Sequence, residues 1–250
     1  MPVLFIGHGS PMNAVEDTPF SRAWERLGKG LPRPKAILSV SAHWESFGTK
    51  VTTVRMPRTI HDFSGFPKPL YEVAYPAPGS PDLARDVSRL LGDARLDTEW
   101  GLDHGTWVVL KHLFPKADVP VVQLSIDKSK APREHYELAA RLAPLRERGV
   151  MVMGSGNVVH NLALASDYED VYDWAVEFDE TVKWLVLEGD HEQLIGYEAL
   201  GEAARLSIPT NEHYLPMLYA LGLRGKDEPV QFLTERFAMA SVSMRSLVIG

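Results

Sequence analysis

Val3-Leu4-Phe5-Ile6-Gly7-His8-Gly9-Ser10-Pro11 places four consecutive apolar residues ahead of a histidine held between two glycines. A continuous apolar run, as opposed to an alternating one, belongs to a strand covered on both faces, and in open α/β sheets ligands bind just past the carboxyl ends of such strands. The pattern recurs twice. Ala36-Ile37-Leu38-Ser39-Val40-Ser41-Ala42 runs into His43-Trp44, and Val150-Met151-Val152-Met153 passes through Gly154-Ser155-Gly156-Asn157 to His160. Three strand-like runs, each handing a histidine to one edge of one sheet, predict an α/β fold. It is a single domain with a mostly parallel central sheet, helices on both faces, and a metal site at the carboxyl ends of the strands.

Composition narrows the functions open to such a sheet. The 250 residues suffice for one large domain, 1–250, with a full core. A net charge of -7 without any basic block disfavours a nucleic-acid partner or an anionic membrane surface. With no cysteine there is no disulfide framework, thiolate zinc site or catalytic thiol, so any metal must be held by His, Asp or Glu. No apolar run approaches a membrane span, and the chain enters its first strand without a basic segment and cleavage site. No membrane association and a cytoplasmic location are therefore expected. The oligomeric state leaves no signature.

Along the chain, residues 18–27 have a polar start, an early proline and apolar residues at helical spacing, which predicts a short helix. Lys50-Val51-Thr52-Thr53-Val54 reads as a third strand. Strand-helix-strand is a right-handed crossover unit, which predicts that the strands before His8 and His43 are parallel and adjacent. Residues 56–81, rich in Pro and Gly, form a long ordered loop carrying His61-Asp62-Phe63, and loops of that length are usually functional. Helices are expected from Ser80 onward, over 131–147 and over about 171–187, where Trp174, Phe178, Val182 and Leu185 make a core stripe, with helix continuing to 206. Residues 94–96 and 119–126 read as strands, and Leu102 to Trp107 as a turn feeding the apolar run Val108-Val109-Leu110. The ending predicts two strands, at 230–233 and 238–244.

Position sorts the nine histidines. His112, His135 and His191 lie on helix-like segments and are read as structural. His8, His43, His104, His160 and His213 lie at strand ends or turns, where side chains on a rigid scaffold carry function. Two imidazoles on neighbouring strand ends compete for protons unless a divalent cation joins them. Imidazole suits zinc and iron alike, and two histidines with one further ligand and open positions make the usual non-haem Fe(II) arrangement. The Glu212-His213 pair supplies that further ligand from one residue or the other. Gly154-Ser155-Gly156 is also readable as a phosphate cradle, but it lacks the P-loop lysine and the dinucleotide spacing. No Gly-x-Ser-x-Gly elbow occurs in a strand-turn-helix context.

Six motifs in order, His8-Gly9-Ser10-Pro11, Ser41-Ala42-His43-Trp44, His61-Asp62-Phe63-Ser64-Gly65-Phe66-Pro67, Asp103-His104-Gly105-Thr106-Trp107, Gly154-Ser155-Gly156-Asn157-Val158-Val159-His160-Asn161-Leu162 and Glu212-His213-Tyr214-Leu215-Pro216, span nearly the whole chain. Together they resemble the LigB-type, class III extradiol ring-cleavage dioxygenases, most closely the 4,5-DOPA dioxygenase branch. The resemblance implies that His8 and His43 are metal ligands, that His160 is the active-site base and that His104 contacts substrate or dioxygen. Protocatechuate-cleaving relatives use a glutamate as third ligand where the DOPA branch places a histidine, which favours His213 over Glu212. Fe(II) is the implied catalytic metal, with Zn(II) as a bound or substituting ion that a three-histidine site also accepts and that His160 could then ligate as well. The implied partners are a catechol substrate and O2, and the implied product is a muconic semialdehyde. An ordinary imidazole pKa of about 6.5 would suit His160 to proton transfer near neutrality. His61 and Asp62 either line the entrance or form a structural pair. Two rivals use the same histidines: a zinc hydrolase lowering the pKa of bound water, and a metal-binding protein without catalysis.

Overall fold

The opening strand is buried along its whole length because its two faces are covered by different cores. Val3 and Phe5 join one apolar cluster, Leu4 and Ile6 the other. The computed structural model describes residues 1–167 and 170–250. Its strands in chain order are β1 (Val3–Gly7), β2 (Ala36–Ser46), β3 (Lys50–Thr52), β4 (Arg95–Asp97), β5 (Val121–Asp127), β6 (Val150–Gly156), β7 (Val230–Leu233), β8 (Phe237–Ala238), β9 (Val242–Ser243) and β10 (Ser246–Ile249). All but β8 and β9, which pair with one another, form one eight-stranded sheet in the order β4-β3-β5-β2-β6-β1-β10-β7. Its centre is parallel, and β10 and β7 close one side antiparallel.

The helices are α1 (Pro19–Gly30), α2 (Lys68–Tyr71), α3 (Pro81–Leu91), α4 (His104–Leu113), α5 (Pro132–Arg141), α6 (Ala143–Glu147), α7 (Asp173–Glu188), α8 (His191–Ile195), α9 (Glu202–Ser207) and α10 (Leu215–Gly222). Apolar residues of α1, α2 and α4 cover one face of the sheet, and those of α3 and α5 to α10 the other. This is the expected single α/β domain with helices on both faces. No helix among the described residues is long and apolar enough to cross a membrane.

Three expectations need correction. The strands before His8 and His43 are parallel but not adjacent, because β6 lies between them. A sequence cannot rank two equally apolar parallel strands, and Val150 to Met153, buried throughout, takes the central place. Residues 102–107 are not merely a turn: the chain enters α4 at His104, because Asp103 caps the helix through the Thr106 amide. The last strand was also missed. Ser246–Ile249 is β10, paired with β1, and the segment expected as one strand at 238–244 is split at a turn. In that turn Met239 and Ala240 take φ of 51° and 59°, a conformation that neither residue type signals.

The carboxyl end of β6 explains how His8 and His43 still meet. Ile6 and Ser41 both stand beside Ser155, and Gly7 stands beside Gly156. Side chains from the strands on either side therefore lean across small residues. The same glycines let the start of α10 approach: a Cβ on Gly156 would lie 2.0 Å from the His213 carbonyl oxygen, and one on Gly154 would lie 2.2 Å from that of Pro216. Close packing of backbone, not a phosphate, is what this glycine pair serves.

Candidate metal centre and active site

Five of the nine histidines converge beyond the carboxyl ends of β1, β2 and β6. His8 leaves β1 directly. His43 sits inside β2, which runs four residues further than its apolar stretch suggests. His104 opens α4, fixed there by Asp103, whose fully buried carboxylate also accepts from Ser41 at 2.7 Å and from Gln123 at 2.6 Å. His213 is held one residue ahead of the α10 N-cap, Tyr214, and its carbonyl accepts from the Asn157 amide. His160 follows β6 and is fixed by its own amide, which donates to Ser207 O, and by a bridge to Val242.

The rings are in mutual contact. His8 lies 4.9 Å from His43, 5.5 Å from His104 and 5.5 Å from His213, centroid to centroid. His43 is 3.9 Å from His104 and 5.1 Å from His213, and His160 stacks on His213 at 3.5 Å. Ligand nitrogens of His8, His43 and His104 form one set within 4.8 Å, and His160, Glu212 and His213 form a second. The His8/His43/His213/His160 ligand group read from sequence thus spans both sets. His104 stands nearer His8 and His43 than a purely substrate-facing residue would require.

Behind the rings, hydrogen bonds fix which nitrogen carries the proton. The Ser155 hydroxyl spends its one hydrogen on Gly105 O at 2.5 Å, so its oxygen accepts from His8 Nδ1–H at 3.0 Å. Asp62 Oδ2 lies 2.9 Å from His104 Nδ1 and 3.4 Å from His43 Nδ1, while Asp62 Oδ1 accepts from the His104 amide at 2.9 Å. Glu212 Oε1 accepts from His213 Nδ1 at 2.9 Å. Carboxylates only accept, so His104 and His213, like His8, carry hydrogen on Nδ1 and leave Nε2 as a lone pair. His43 Nε2 lies 2.9 Å from His8 Nε2, a hydrogen bond that without a cation places the hydrogen of His43 on Nε2.

Electrostatics agree with neutral rings. Burial holds His8 and His43 well below the ordinary imidazole value, and repulsion among the neighbouring histidines adds to it. Burial lowers His213 too, against the opposing pull of Glu212. His160 is brought down to about 3, chiefly by burial and then by His213, so the ordinary value expected for a base at neutrality does not hold in the metal-free protein. Glu212 is pushed down to about 2: burial opposes its charge, but the bond from His213 outweighs burial. Asp62 is likewise lowered, because bonds from His104 outweigh its burial. Neutral imidazoles with Nε2 lone pairs converging and carboxylates behind them are the donor set of a divalent metal. A shared cation would replace the hydrogen between His8 Nε2 and His43 Nε2.

A cavity of about 370 Å³ opens over these rings, walled by Phe63, Phe66, Leu162, Met239 and Val242. The loop at 56–81 contributes as expected, but its His61-Asp62 pair divides. Asp62 enters the site, whereas His61 turns away and donates from Nε2 to Val73 O at 3.0 Å. Sequence reasoning gave no role to Ser155, Asp103, Gln123 or the apolar wall at Met239 and Val242. The Asp-x-x-Thr capping pattern at 103–106 was the one legible signal among them.

Comparison with known proteins gives the same answer from another direction. Residues 3–250 match the family model described as the catalytic LigB subunit of aromatic ring-opening dioxygenase. The chain is 51% identical to the 4,5-DOPA dioxygenase extradiol of Escherichia coli K12, covering 100% of this chain and 95% of that protein. It is 38% identical to the 4,5-DOPA dioxygenase extradiol of Beta vulgaris, covering 92% of this chain and 89% of that one. A crystal structure of an uncharacterized protein from Escherichia coli K12 superposes with a TM-score of 0.88 at 45% identity over 100% of both chains. The chain belongs to the LigB family and is an extradiol ring-opening dioxygenase.

Proposed function

We propose that this enzyme uses Fe(II) and O2 to cleave the ring of a DOPA-like catechol beside its diol, giving a muconic semialdehyde. In this reading His8, His43 and His213 hold the metal. The observation that carries it is the pair of Nε2 atoms of His8 and His43, 2.9 Å apart with the Nδ1 of His8 bonded to Ser155 and that of His43 facing Asp62. The DOPA-type catechol rests on the names of the relatives from Escherichia coli and Beta vulgaris.

A bound Fe(II) would supply open positions for the diol and for O2 and a path for electrons from the ring to O2. The chain's residues do the rest. The walls at Phe63, Phe66, Leu162, Met239 and Val242 enclose an aromatic ring, keep bulk water from it and hold its diol edge toward the histidines. His160, neutral at physiological pH, is in the form that accepts a phenolic proton, and the negative charge of an arriving catecholate would counter the burial and the His213 repulsion that depress its basicity. His104, with its hydrogen on Nδ1 directed to Asp62, presents Nε2 toward the cavity as an acceptor for a substrate or reaction proton. Glu212 keeps His213 in the ligating tautomer.

The test is to strip the protein of metal, reconstitute it anaerobically with Fe(II) or Zn(II), add a panel of catechols including DOPA, and admit air. Yellow semialdehyde absorbance with O2 uptake is expected from the iron form alone and should be lost on His160→Ala. Tight metal binding without O2 uptake on any catechol would overturn the proposal.

A further inference from the structure

The long loop before α3 looks from its composition like a lid, but Asp62 does something more specific than cover the site. Its carboxylate accepts from the His104 amide on one oxygen and from the His104 imidazole on the other, each at 2.9 Å, and that second oxygen also faces His43 Nδ1 at 3.4 Å. The Asp62 side chain is 17% exposed, and the next residue, Phe63, packs edge-on against His104 with centroids 5.5 Å apart while walling the cavity. One carboxylate thus ties together a strand histidine, a helix-opening histidine and the loop that meets the substrate.

We infer that Asp62 is the positioning residue of this site, fixing His104 in the Nδ1–H tautomer, standing as the acceptor for His43 Nδ1–H once a metal takes the His43 Nε2, and coupling the substrate-facing loop to both. The catalytic arm of this inference rests on the function proposed above. The metal-binding arm does not.

Chemistry makes the carboxylate necessary. All of its partners donate, so all of its sites must accept. An amide of the same shape presents an NH2 in place of one oxygen, which then opposes either the His104 amide or the two imidazole N–H groups. Asp62→Asn therefore keeps the size of the side chain while forcing a tautomer change or losing a bond. Partners that hold a ligating imidazole from behind are typically worth about 10–100-fold in metal affinity or activity.

The experiment compares wild type, Asp62→Asn, Asp62→Glu and, as a control in the same loop, His61→Ala, which loses its bond to Val73 and its ring contacts with Phe63, Tyr71 and Trp107 but no bond to a histidine of the site. Fe(II) and Zn(II) affinities are measured by chelator competition, kcat and KM are measured separately for a cleaved catechol, and imidazole 15N shifts are recorded on metal-free protein. The expected result is that Asp62→Asn weakens metal binding and lowers kcat, each by about 10-fold or more. KM should stay within about threefold, and the His104 15N signals should move away from the Nδ1–H pattern. Asp62→Glu should recover part of the kcat, since it restores an acceptor. Metal affinity and 15N shifts unchanged in Asp62→Asn, or losses no larger than those of His61→Ala, would overturn the inference. If wild type itself cleaves no catechol, the function above fails while affinity and tautomer still decide the role of Asp62.

Discussion

Two groups of histidines share this protein and differ in what surrounds them. His135 is fully buried, its Nδ1 lies 3.0 Å from the Tyr219 hydroxyl, and burial, against the opposing pull of Asp127, brings its pKa down to about 4. His112 bonds Asn13 O at 2.8 Å, and His191 bonds the Tyr136 hydroxyl at 2.8 Å. Each of these packs within the helical layers without another histidine in ring contact. The histidines beyond β1, β2 and β6 are also buried and also depressed, yet there the rings converge and two carboxylates and a serine stand behind them. A depressed imidazole therefore does not mark a site by itself. What marks it is convergence of several rings, with acceptors standing behind His8, His104 and His213.

The sharpest way to break the comparison is to remove a converging imidazole. His43→Ala should weaken metal binding by more than about 100-fold, beyond the loss expected for any residue standing behind a ligand, and abolish turnover. Chelator competition together with O2 uptake reads both. If His43→Ala binds metal as wild type does, the two groups of histidines are not different in kind.

Glu212→Gln probes the acceptors behind the rings. It leaves the imidazole of His213 in place but offers a weaker, partly donating neighbour, and about 10-fold loss in metal affinity is expected with little loss of thermal stability. An unchanged affinity would reduce Glu212 to a surface charge.

The pH dependence of stability tests the structural group. The folded-state pKa of His135, about 4, lies below its ordinary value of 6.5, so between those values the unfolded chain binds the proton that the folded chain refuses. Stability is thus fully present above about pH 6.5 and falls as the pH drops toward 4, by about 3 kcal/mol from this residue. Denaturant unfolding of metal-free protein across that range should show the loss. In His135→Leu this contribution should vanish while kcat changes less than about twofold, since the residue is remote from the converging rings.

The smallest effect is expected at His112. His112→Ala gives up its bond to Asn13, a longer contact with Glu25 and the packing on Trp24, and should cost about 1–2 kcal/mol in unfolding free energy, with metal affinity unchanged. A loss of metal affinity there would show that the two groups communicate through the fold.

Much of this distinction was legible in the residues. Continuous apolar runs followed by Gly-His or Ala-His announced buried strands delivering imidazoles, and helix-like spacing around His112, His135 and His191 placed those three apart. What stayed hidden depended on partners far along the chain. Ser155, dismissed as a nucleophile, holds His8 across 147 residues, and Asp62 meets His104 across 42. Neither pairing leaves a local pattern, because hydrogen-bond partners are chosen by distance in space and not along the sequence. His61 and Asp62, inseparable as neighbours in sequence, face opposite ways because successive residues of an extended segment point to opposite sides.

The sequence by itself determined the class of fold, the strand ends at which the histidines appear, and the absence of any thiolate ligand, since each of these follows from local hydrophobic period and residue type. Only the tertiary structure decided that β6 lies between the two histidine-bearing strands, that Gly154 and Gly156 admit the start of α10, and that His8, His104 and His213 each have an acceptor behind the ring. Strand order and side-chain convergence follow from how whole surfaces pack together. Apolar strands of equal quality leave that choice open until the rest of the chain has folded around them.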